Sequence, residues 1–224
     1  MEQYVRFPNC RHWRVTSFNF KFKICRRCSK KNPEFLQKYF RKLYKNPQFF
    51  SLFGHIISDG STQITKINYS NKEPLLIEEV KFLIQNIFKM IPSVLIRKDG
   101  IIMIDLYSKH IALFFLNTEK NNILPKTKKS QSLFLRACFD DEGHISKKGI
   151  ISITQSNKAY IDNIEFLLNS FKIKSIQYSM FDKRYNKTYF CLRISTKYNK
   201  LFYKKIGFLH PFKNQRIVDW VDNH

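Results

Sequence analysis

Two short segments of the sequence each end in an acidic residue followed by glycine, and a carboxylate at such a position can bind a metal ion. The first is LFGHIISDG at 52–60, with Asp59 before Gly60, and the second is LRACFDDEG at 135–143, with Glu142 before Gly143. A glycine directly after an apolar helical stretch indicates a helix C-terminus. Each segment therefore predicts a helix that carries a carboxylate at its C-terminal end.

Small residues occupy matching places in the two segments, Gly54 in the first and Ala137 in the second. If the helices pack on these small residues, Asp59 and Glu142 lie side by side, and carboxylates at the negative ends of two helix dipoles repel one another. A divalent cation relieves this repulsion, and oxygen ligands favour Mg²⁺. The pattern predicts metal-assisted cleavage of phosphodiesters. Asp141 is a rival to Glu142, which we prefer because it is adjacent to Gly143.

The same order of elements follows both segments, and the two acids, Asp59 and Glu142, are 83 residues apart. After each acid come a strand pattern, a helix preceded by the letters Ser-Asn-Lys, a strand pair across a turn, and a further helix. In the first copy we expect the long helix to start at Lys72 with Asn71 as its N-cap. The sequence thus predicts two related lobes, 47–117 and 132–224, joined by a polar linker at 118–131 and preceded by a basic, cysteine-containing extension at 1–46.

The charge of the chain points to a polyanionic partner. The 224 residues include 40 Lys and Arg against 17 Asp and Glu, which leaves a net charge of +23. Aromatic residues make up 16%, and this content excludes a disordered basic tail because such tails lack aromatics. Nucleic acid is the first expectation for the partner and an anionic membrane surface the second. The five cysteines do not form an even disulfide set, so we expect an intracellular, reducing compartment, cytoplasmic or organellar.

Both nine-residue segments resemble the LAGLIDADG signature of homing endonucleases in its single-chain, two-motif form. Leu52, Gly54, Ile56, Asp59 and Gly60 match in the first segment, and Leu135, Asp140 and Gly143 match in the second, with Glu142 as the acid. The first motif departs from the family at Ile57, where an aspartate is usual. The resemblance covers about residues 48–215.

This resemblance implies an α+β fold of two pseudo-twofold-related αββαββα lobes, each with a saddle-shaped antiparallel sheet that lies on the DNA major groove. It implies a monomeric, intron-encoded or free-standing enzyme that cuts both strands of a specific double-stranded DNA site and leaves 3′ overhangs. Two or more Mg²⁺ ions at the lobe interface would be bound by Asp59 and Glu142. The other catalytic candidates that it suggests are Gln155, Lys109 and Lys197.

The base-reading side chains depend on strand register, because a slip of one residue reverses the face of a strand. Candidates on the strands and their turns are Gln63, Thr65, Lys66, Asn68, Ser152, Thr154, Gln177, Tyr178, Lys183, Arg184, Tyr189 and Arg193.

The N-terminal extension contains a second candidate metal site. Cys10, His12, Cys25 and Cys28 supply four N/S ligands for a structural Zn²⁺ ion, although a single residue separates the first two. The alternative is a set of reduced cysteines within a basic, DNA-contacting arm.

Two other functions remain open for the same fold, a maturase that binds intron RNA and a DNA-binding regulator that does not cleave. The acids retained at both motif ends favour the nuclease.

Overall fold

The structure, a computed structural model, describes residues 3–6, 13–16 and 40–224. Near the N-terminus, β1 (Gln3–Arg6) pairs with β2 (Trp13–Thr16) in a two-stranded antiparallel sheet. The predicted zinc ligands Cys10, His12, Cys25 and Cys28 lie outside the described residues, so the Zn²⁺ site stays a prediction.

The first lobe contains seven elements in the predicted order αββαββα. They are α1 (Pro47–Ser58), β3 (Gly60–Thr62), β4 (Lys66–Asn71), α2 (Pro74–Phe88), β5 (Ser93–Ile96), β6 (Ile102–Tyr107) and α3 (Lys109–Lys120). The strands form an antiparallel sheet in the order β3-β4-β6-β5. Ile67, Tyr69, Ile104 and Leu106 alternate along β4 and β6 with more accessible residues, so one face of the sheet is buried against the helices.

The second lobe repeats this order and adds one helix. Its elements are α4 (Lys128–Asp141), β7 (Gly143–Ile145), β8 (Ile151–Gln155), α5 (Lys158–Ser170), β9 (Ser175–Asp182), β10 (Lys187–Ile194), a 3₁₀ turn (Thr196–Tyr198), α6 (Asn199–Lys205) and α7 (Pro211–Asp222). The antiparallel sheet has the corresponding order β7-β8-β10-β9. The predicted α+β architecture of two αββαββα lobes with antiparallel sheets is confirmed.

Several boundaries differ from the sequence prediction. Helix α2 starts at Pro74 rather than at Lys72, and its N-cap is Glu73, whose side chain accepts a hydrogen bond from the Leu75 amide. Asn71 is therefore not the N-cap. Between the lobes, α3 extends to Lys120 and α4 begins at Lys128, so helix occupies both ends of the segment predicted as a linker.

Register also shows that the repeated Ser-Asn-Lys letters are not equivalent positions. Gly60 pairs with Tyr69 in the first sheet and Gly143 pairs with Ile153 in the second. Two residues further along each strand stand Asn71 and Gln155. Asn71 thus corresponds to Gln155, and the helix caps Glu73 and Asn157 follow each of them by the same two residues.

Helices α1 and α4 pack directly on each other through their small residues. A Cβ atom at Gly54 would lie 2.9 Å from the Ala137 Cβ and 2.9 Å from the carbonyl oxygen of Phe134. The flanking Leu52 and Leu135 are fully buried. The two motif helices therefore form the seam between the lobes. Within residues 3–6, 13–16 and 40–224, no helix is long and apolar enough to cross a membrane.

Candidate active site at the helix seam

The two motif acids stand at the C-terminal ends of the seam helices. Asp59 is the C-cap of α1 and Glu142 is the C-cap of α4, and the next residue in each case opens a strand. Glycine is needed after each acid because a Cβ at Gly60 would lie 2.6 Å from the Ile56 carbonyl oxygen, and one at Gly143 would lie 2.3 Å from that of Phe139. The helix-to-strand turn is therefore tight enough to hold each carboxylate at a defined position.

Each acid accepts a hydrogen bond from a side-chain amide at the equivalent place in its own lobe. Asn71 Nδ2 donates to Asp59 Oδ2 over 2.8 Å, and Gln155 Nε2 donates to Glu142 Oε1 over 2.6 Å. Because Asn71 and Gln155 end β4 and β8 in matching register, the pair is a feature of the repeat. The sequence identified Gln155 as a candidate, whereas Asn71 was assigned to the wrong role as a helix cap.

Burial and like charge act together on these carboxyl groups. Burial, followed by the negative charges of Asp141 and Glu142, raises the pKa of Asp59 to about 7. Burial also raises the pKa of Glu142, with a contribution from Asp141, while the Gln155 hydrogen bond and the charge of Lys213 oppose the rise. The seam thus holds acids that repel one another, which is the condition under which a divalent cation binds favourably.

Asp141, the rival candidate in the second motif, is engaged by the first lobe. Its Oδ2 lies 2.9 Å from His55 Nδ1 of α1, and its Oδ1 accepts a 2.8 Å hydrogen bond from the Tyr69 hydroxyl of β4. The Asp141 side chain has no exposed surface. Burial alone would lower the pKa of His55, but the charge and hydrogen bond of Asp141, with the charges of Asp140 and Glu79, raise it. This buried cluster joins the lobes, and Asp141 is the less accessible of the two adjacent acids.

A second polar contact involves the last residue of α1. Ser58 Oγ of α1 lies 2.8 Å from the Tyr160 hydroxyl of α5. Cys138, which matches His55 in the second motif, lies beside them and is free and buried. Burial raises the pKa of the Cys138 thiol to about 12, so the thiol stays protonated. Ser58, Tyr160 and Cys138 thus form an uncharged polar contact, whereas the matching position of the first motif, His55, belongs to a charged one.

A lysine from α7 contributes positive charge to the site, and sequence reasoning did not single it out. Lys213 Nζ donates to the carbonyl oxygens of Phe139 (3.1 Å), Asp140 and Asp141 (3.3 Å), the last three residues of α4. Burial lowers the pKa of Lys213, while the surrounding carboxylates of Asp140, Asp141, Asp59 and Glu142 act in the opposite direction. A cation at a helix C-terminus is favourable on electrostatic grounds.

Asp140 positions the segment that carries this lysine. Its Oδ1 accepts hydrogen bonds from the amides of Leu209 (2.8 Å) and His210 (2.9 Å), immediately before α7. The first motif has Ile57 at this place, so the departure from the signature falls in the lobe that does not hold the C-terminal helix. The only trace of this arrangement in the sequence is the aspartate that the second motif retains.

The two lysines predicted to assist catalysis lie on exposed surface. Lys109 is the first residue of α3, and Lys197 is in the 3₁₀ turn with its Nζ 5.2 Å from the centre of the Tyr198 ring. The lysine whose charge acts on Asp59 is Lys213. Catalytic roles for Lys109 and Lys197 remain predictions.

The donor set suits a cation that takes part of its coordination from substrate. No group of three or more His, Cys, Asp or Glu residues able to hold a metal ion occurs within the described residues. Asp59 and Glu142 supply two carboxylates. Mg²⁺ is often bound by one or two carboxylates together with water and substrate phosphates. The seam therefore fits Mg²⁺ in the presence of a phosphodiester.

Strand register determines which side chains lie on the outer face of each sheet, away from the helices. Lys66, Asn68, Ser152, Thr154, Tyr178, Tyr189 and Arg193 lie on this outer face, because their strand neighbours Ile67, Ile153 and Leu192 are buried on the other. Gln177 pairs with the buried Leu192 and donates to Asp162 and Glu165 of α5, so it points to the helix side. Gln177 therefore does not share the outer face with the other candidates on β9 and β10.

Comparison with known proteins agrees with this architecture. Residues 129–207 match the family model described as a LAGLIDADG-like domain. No curated protein matches the chain. Among solved structures, mesophilic variants of the homing endonuclease I-DmoI align at 20% identity with a TM-score of 0.60, over 71% of this chain and 90% of theirs. I-DmoI in complex with DNA and Mn aligns at 21% identity with a TM-score of 0.58, over 72% of this chain and 97% of that one.

The same fold is found in a differently named protein. Full-length DUF199/WhiA from Thermatoga maritima aligns at 17% identity with a TM-score of 0.59, over 79% of this chain and 60% of that one. The fold alone therefore does not establish cleavage. Residues 129–207 thus match a LAGLIDADG-like domain, and the two lobes together share the fold of the I-DmoI structures, as the paired motifs predict.

Proposed function

We propose that the protein is a site-specific endonuclease that cuts both strands of double-stranded DNA with a divalent metal ion and leaves 3′ overhangs. The observation that carries this proposal is the placement of Asp59 and Glu142 at the same end of the helix seam, where burial, followed by the charges of Asp141 and Glu142, raises the pKa of Asp59. When bound, Mg²⁺ would activate water and stabilise charge on the phosphate.

The chain's own residues would orient the reacting groups. The Asn71 and Gln155 amides fix the rotamers of the two acids, and Lys213 holds the end of α4 from which Glu142 projects. The exposed outer faces of the two sheets offer surfaces for a DNA duplex, in keeping with the net charge of +23. The I-DmoI structures with DNA and with Mn, Ca or Mg support a duplex and a divalent ion as ligands.

The test is cleavage of a duplex selected for binding to the full chain, in Mg²⁺ and in EDTA. We expect Asp59→Asn and Glu142→Gln each to reduce double-strand cleavage by at least about 100-fold, the scale of losing a key electrostatic group, with DNA affinity retained. Asp219→Asn, an exposed acid on α7, is the matched control and should cut normally. Cleavage by either seam variant at the wild-type rate would refute the assignment.

A non-cleaving DNA-binding regulator is the second candidate, because the chain is as similar in fold to DUF199/WhiA (TM-score 0.59) as to I-DmoI and the fold does not by itself establish cleavage. The same assay separates the two functions, because a regulator would bind the selected duplex without cutting it at any Mg²⁺ concentration.

A further inference from the structure

The outer face of the second sheet has an apolar stripe that the cleavage site does not use. Ile176, Tyr178 and Met180 alternate along β9 and are 69%, 44% and 48% exposed. Their cross-strand partners on β10 are Arg193, Cys191 and Tyr189, which share the same face. An exposed apolar cluster of this kind on a soluble domain marks an interaction surface.

The surroundings of the stripe indicate an anionic partner. Arg193 stands at one end of the ladder, and Lys187 stands at the other with its Nζ 5.7 Å from the centre of the Tyr189 ring. The β9–β10 turn contributes Lys183, whereas the neighbouring Arg184 is paired with Asp182 over 2.9 Å. A hydrophobic stripe with cations at its ends fits a ligand that has anionic groups along its edges and apolar groups between them.

The strand pair that carries the stripe is an element that the DNA major groove can hold, because the groove is about 12 Å wide and admits a two-stranded β-ribbon. Alternate residues on a strand are about 6.6 Å apart, so Ile176 to Met180 spans about 13 Å. If the strand runs along the groove, at a rise of about 3.4 Å per base pair, the stripe faces about four base pairs.

Isoleucine and methionine side chains make no conventional hydrogen bond to base edges. The apolar group that the major groove presents is the C5-methyl of thymine. The first sheet differs at its centre, where Lys66 Nζ donates to Asp105 Oδ1 (2.9 Å) and Ser61 Oγ donates to Asn68 Oδ1 (2.8 Å). The outer face of that sheet has one apolar pair next to this centre, Leu95 on the edge strand β5 and Met103 on the inner strand β6.

We propose that the apolar stripe of Ile176, Tyr178 and Met180 recognises thymine methyl groups, so that the half-site bound by the second lobe is specified by thymines. This inference rests on the proposed function, because it assumes that the outer face of the sheet lies on DNA. It adds the base chemistry of one half of the target site.

The experiment uses duplexes selected from a randomised pool by the full chain in EDTA, so that binding is measured apart from cleavage. Thymines in each half of a selected duplex are replaced by deoxyuridine, which removes only the 5-methyl group. We expect the replacement to weaken binding in one half by about fourfold for each methyl group that the stripe buries, and the corresponding replacement in the other half to have a smaller effect.

Protein variants then connect this effect to the stripe. The double variant Ile176→Thr, Met180→Gln should bind thymine and deoxyuridine duplexes equally in the sensitive half. Phe181→Gln is the matched control, since Phe181 is 59% exposed on the same strand but on the opposite face. It should keep the wild-type discrimination.

The outcomes separate this inference from the endonuclease proposal. Deoxyuridine without effect in either half, or the wild-type effect retained by the double variant, would overturn the inference and leave the stripe to another partner such as a protein. A deoxyuridine effect on a duplex that Mg²⁺ never causes to be cut would support the inference and refute the endonuclease. Failure to select any duplex would overturn both.

Discussion

At the scale of single residues, the seam is defined by a balance of charge. Asp59, Asp140, Asp141 and Glu142 gather at the ends of α1 and α4, and His55 and Lys213 supply the positive groups that lie against them. Each carboxyl group also has a specific hydrogen-bond donor, from an amide, a hydroxyl or the backbone. Two cationic groups offset only part of the charge of four acids, so the pKa values of Asp59 and Glu142 remain raised and the seam keeps an excess of negative charge.

Replacing Lys213 by methionine should destabilise the protein. The substitution keeps the length of the side chain but leaves three partly buried carbonyl groups at the end of α4 without their donor. An unsatisfied buried polar group costs about 1–3 kcal/mol, so we expect the free energy of unfolding in urea to fall by about 2 kcal/mol. Lys204→Met, on an exposed lysine of α6, should leave it unchanged. Equal losses in both variants would contradict this role.

The His55–Asp141 pair predicts a dependence of stability on pH. The pKa of His55 is raised in the folded protein, so the pair's contribution is fully present below the unfolded value of about 6.5 and is lost as pH rises through the folded pKa. The pKa of Asp59 is raised from 3.8 to about 7 on folding, so its effect is a loss of stability as the pH rises between these two values. We therefore expect urea unfolding from pH 7 to 9 to show a decline in wild type that His55→Gln abolishes. Parallel pH profiles would exclude the histidine as its source.

At the scale of elements, the close approach of α1 and α4 depends on Gly54. Its absent side chain leaves space for Ala137 and for the Phe134 carbonyl group. Asn71 and Gln155 then reach the two acids because β4 and β8 leave each helix end in the same register. Packing of the helices and pairing of the strands together set the site.

Gly54→Ala tests this packing. Alanine is the better helix former by about 1 kcal/mol, yet its Cβ would lie 2.9 Å from two atoms of α4. Overpacking costs about 1–3 kcal/mol, so we expect net destabilisation measured by urea unfolding. Ala137→Gly in the same chain should restore part of the loss, since it removes one of the two contacts and leaves the carbonyl contact. A Gly54→Ala protein more stable than wild type would show that the seam can relax.

At the scale of the whole molecule, the net charge of +23 is expected to act through particular faces. Outer-face cations such as Lys187 and Arg193 lie beside the apolar stripe, whereas Lys81 on α2 is paired with Glu78 over 2.7 Å. If the outer faces bind DNA, only the first kind of cation should release counterions on binding.

Salt dependence of DNA binding measures this distinction. Each phosphate contact contributes about 0.9 to the slope of log affinity against log salt. We expect Lys187 to contact one phosphate, so Lys187→Gln should lower the slope by about 0.9. Lys81→Gln should leave the slope unchanged. A similar decrease for both variants would show that the charge acts without regard to face.

Local sequence was sufficient to predict much of the fold. The acid-glycine ends, the alternation of strands and the helical periodicity are all short-range patterns, and their repetition predicts two related lobes with Asp59 and Glu142 at the seam. The αββαββα order within each lobe is what the family resemblance implies. Gln155 was placed near Glu142 from the family resemblance, and the structure shows the contact. Element boundaries follow less directly from local sequence, since the α2 cap is Glu73 where the pattern predicts Asn71.

The tertiary structure decided what surrounds those acids. Tyr69 and His55 reach Asp141 from 72 and 86 residues away, and Lys213 reaches α4 from 72–74 residues away. Helix and strand periodicities describe neighbours within a few residues and hold no information about such distances. The face on which Gln177 or Met180 lies likewise depends on how β9 pairs with β10. The sequence alone thus determined the repeated frame and its two terminal acids, whereas chain packing chose the groups that neutralise them and the side chains that each sheet presents.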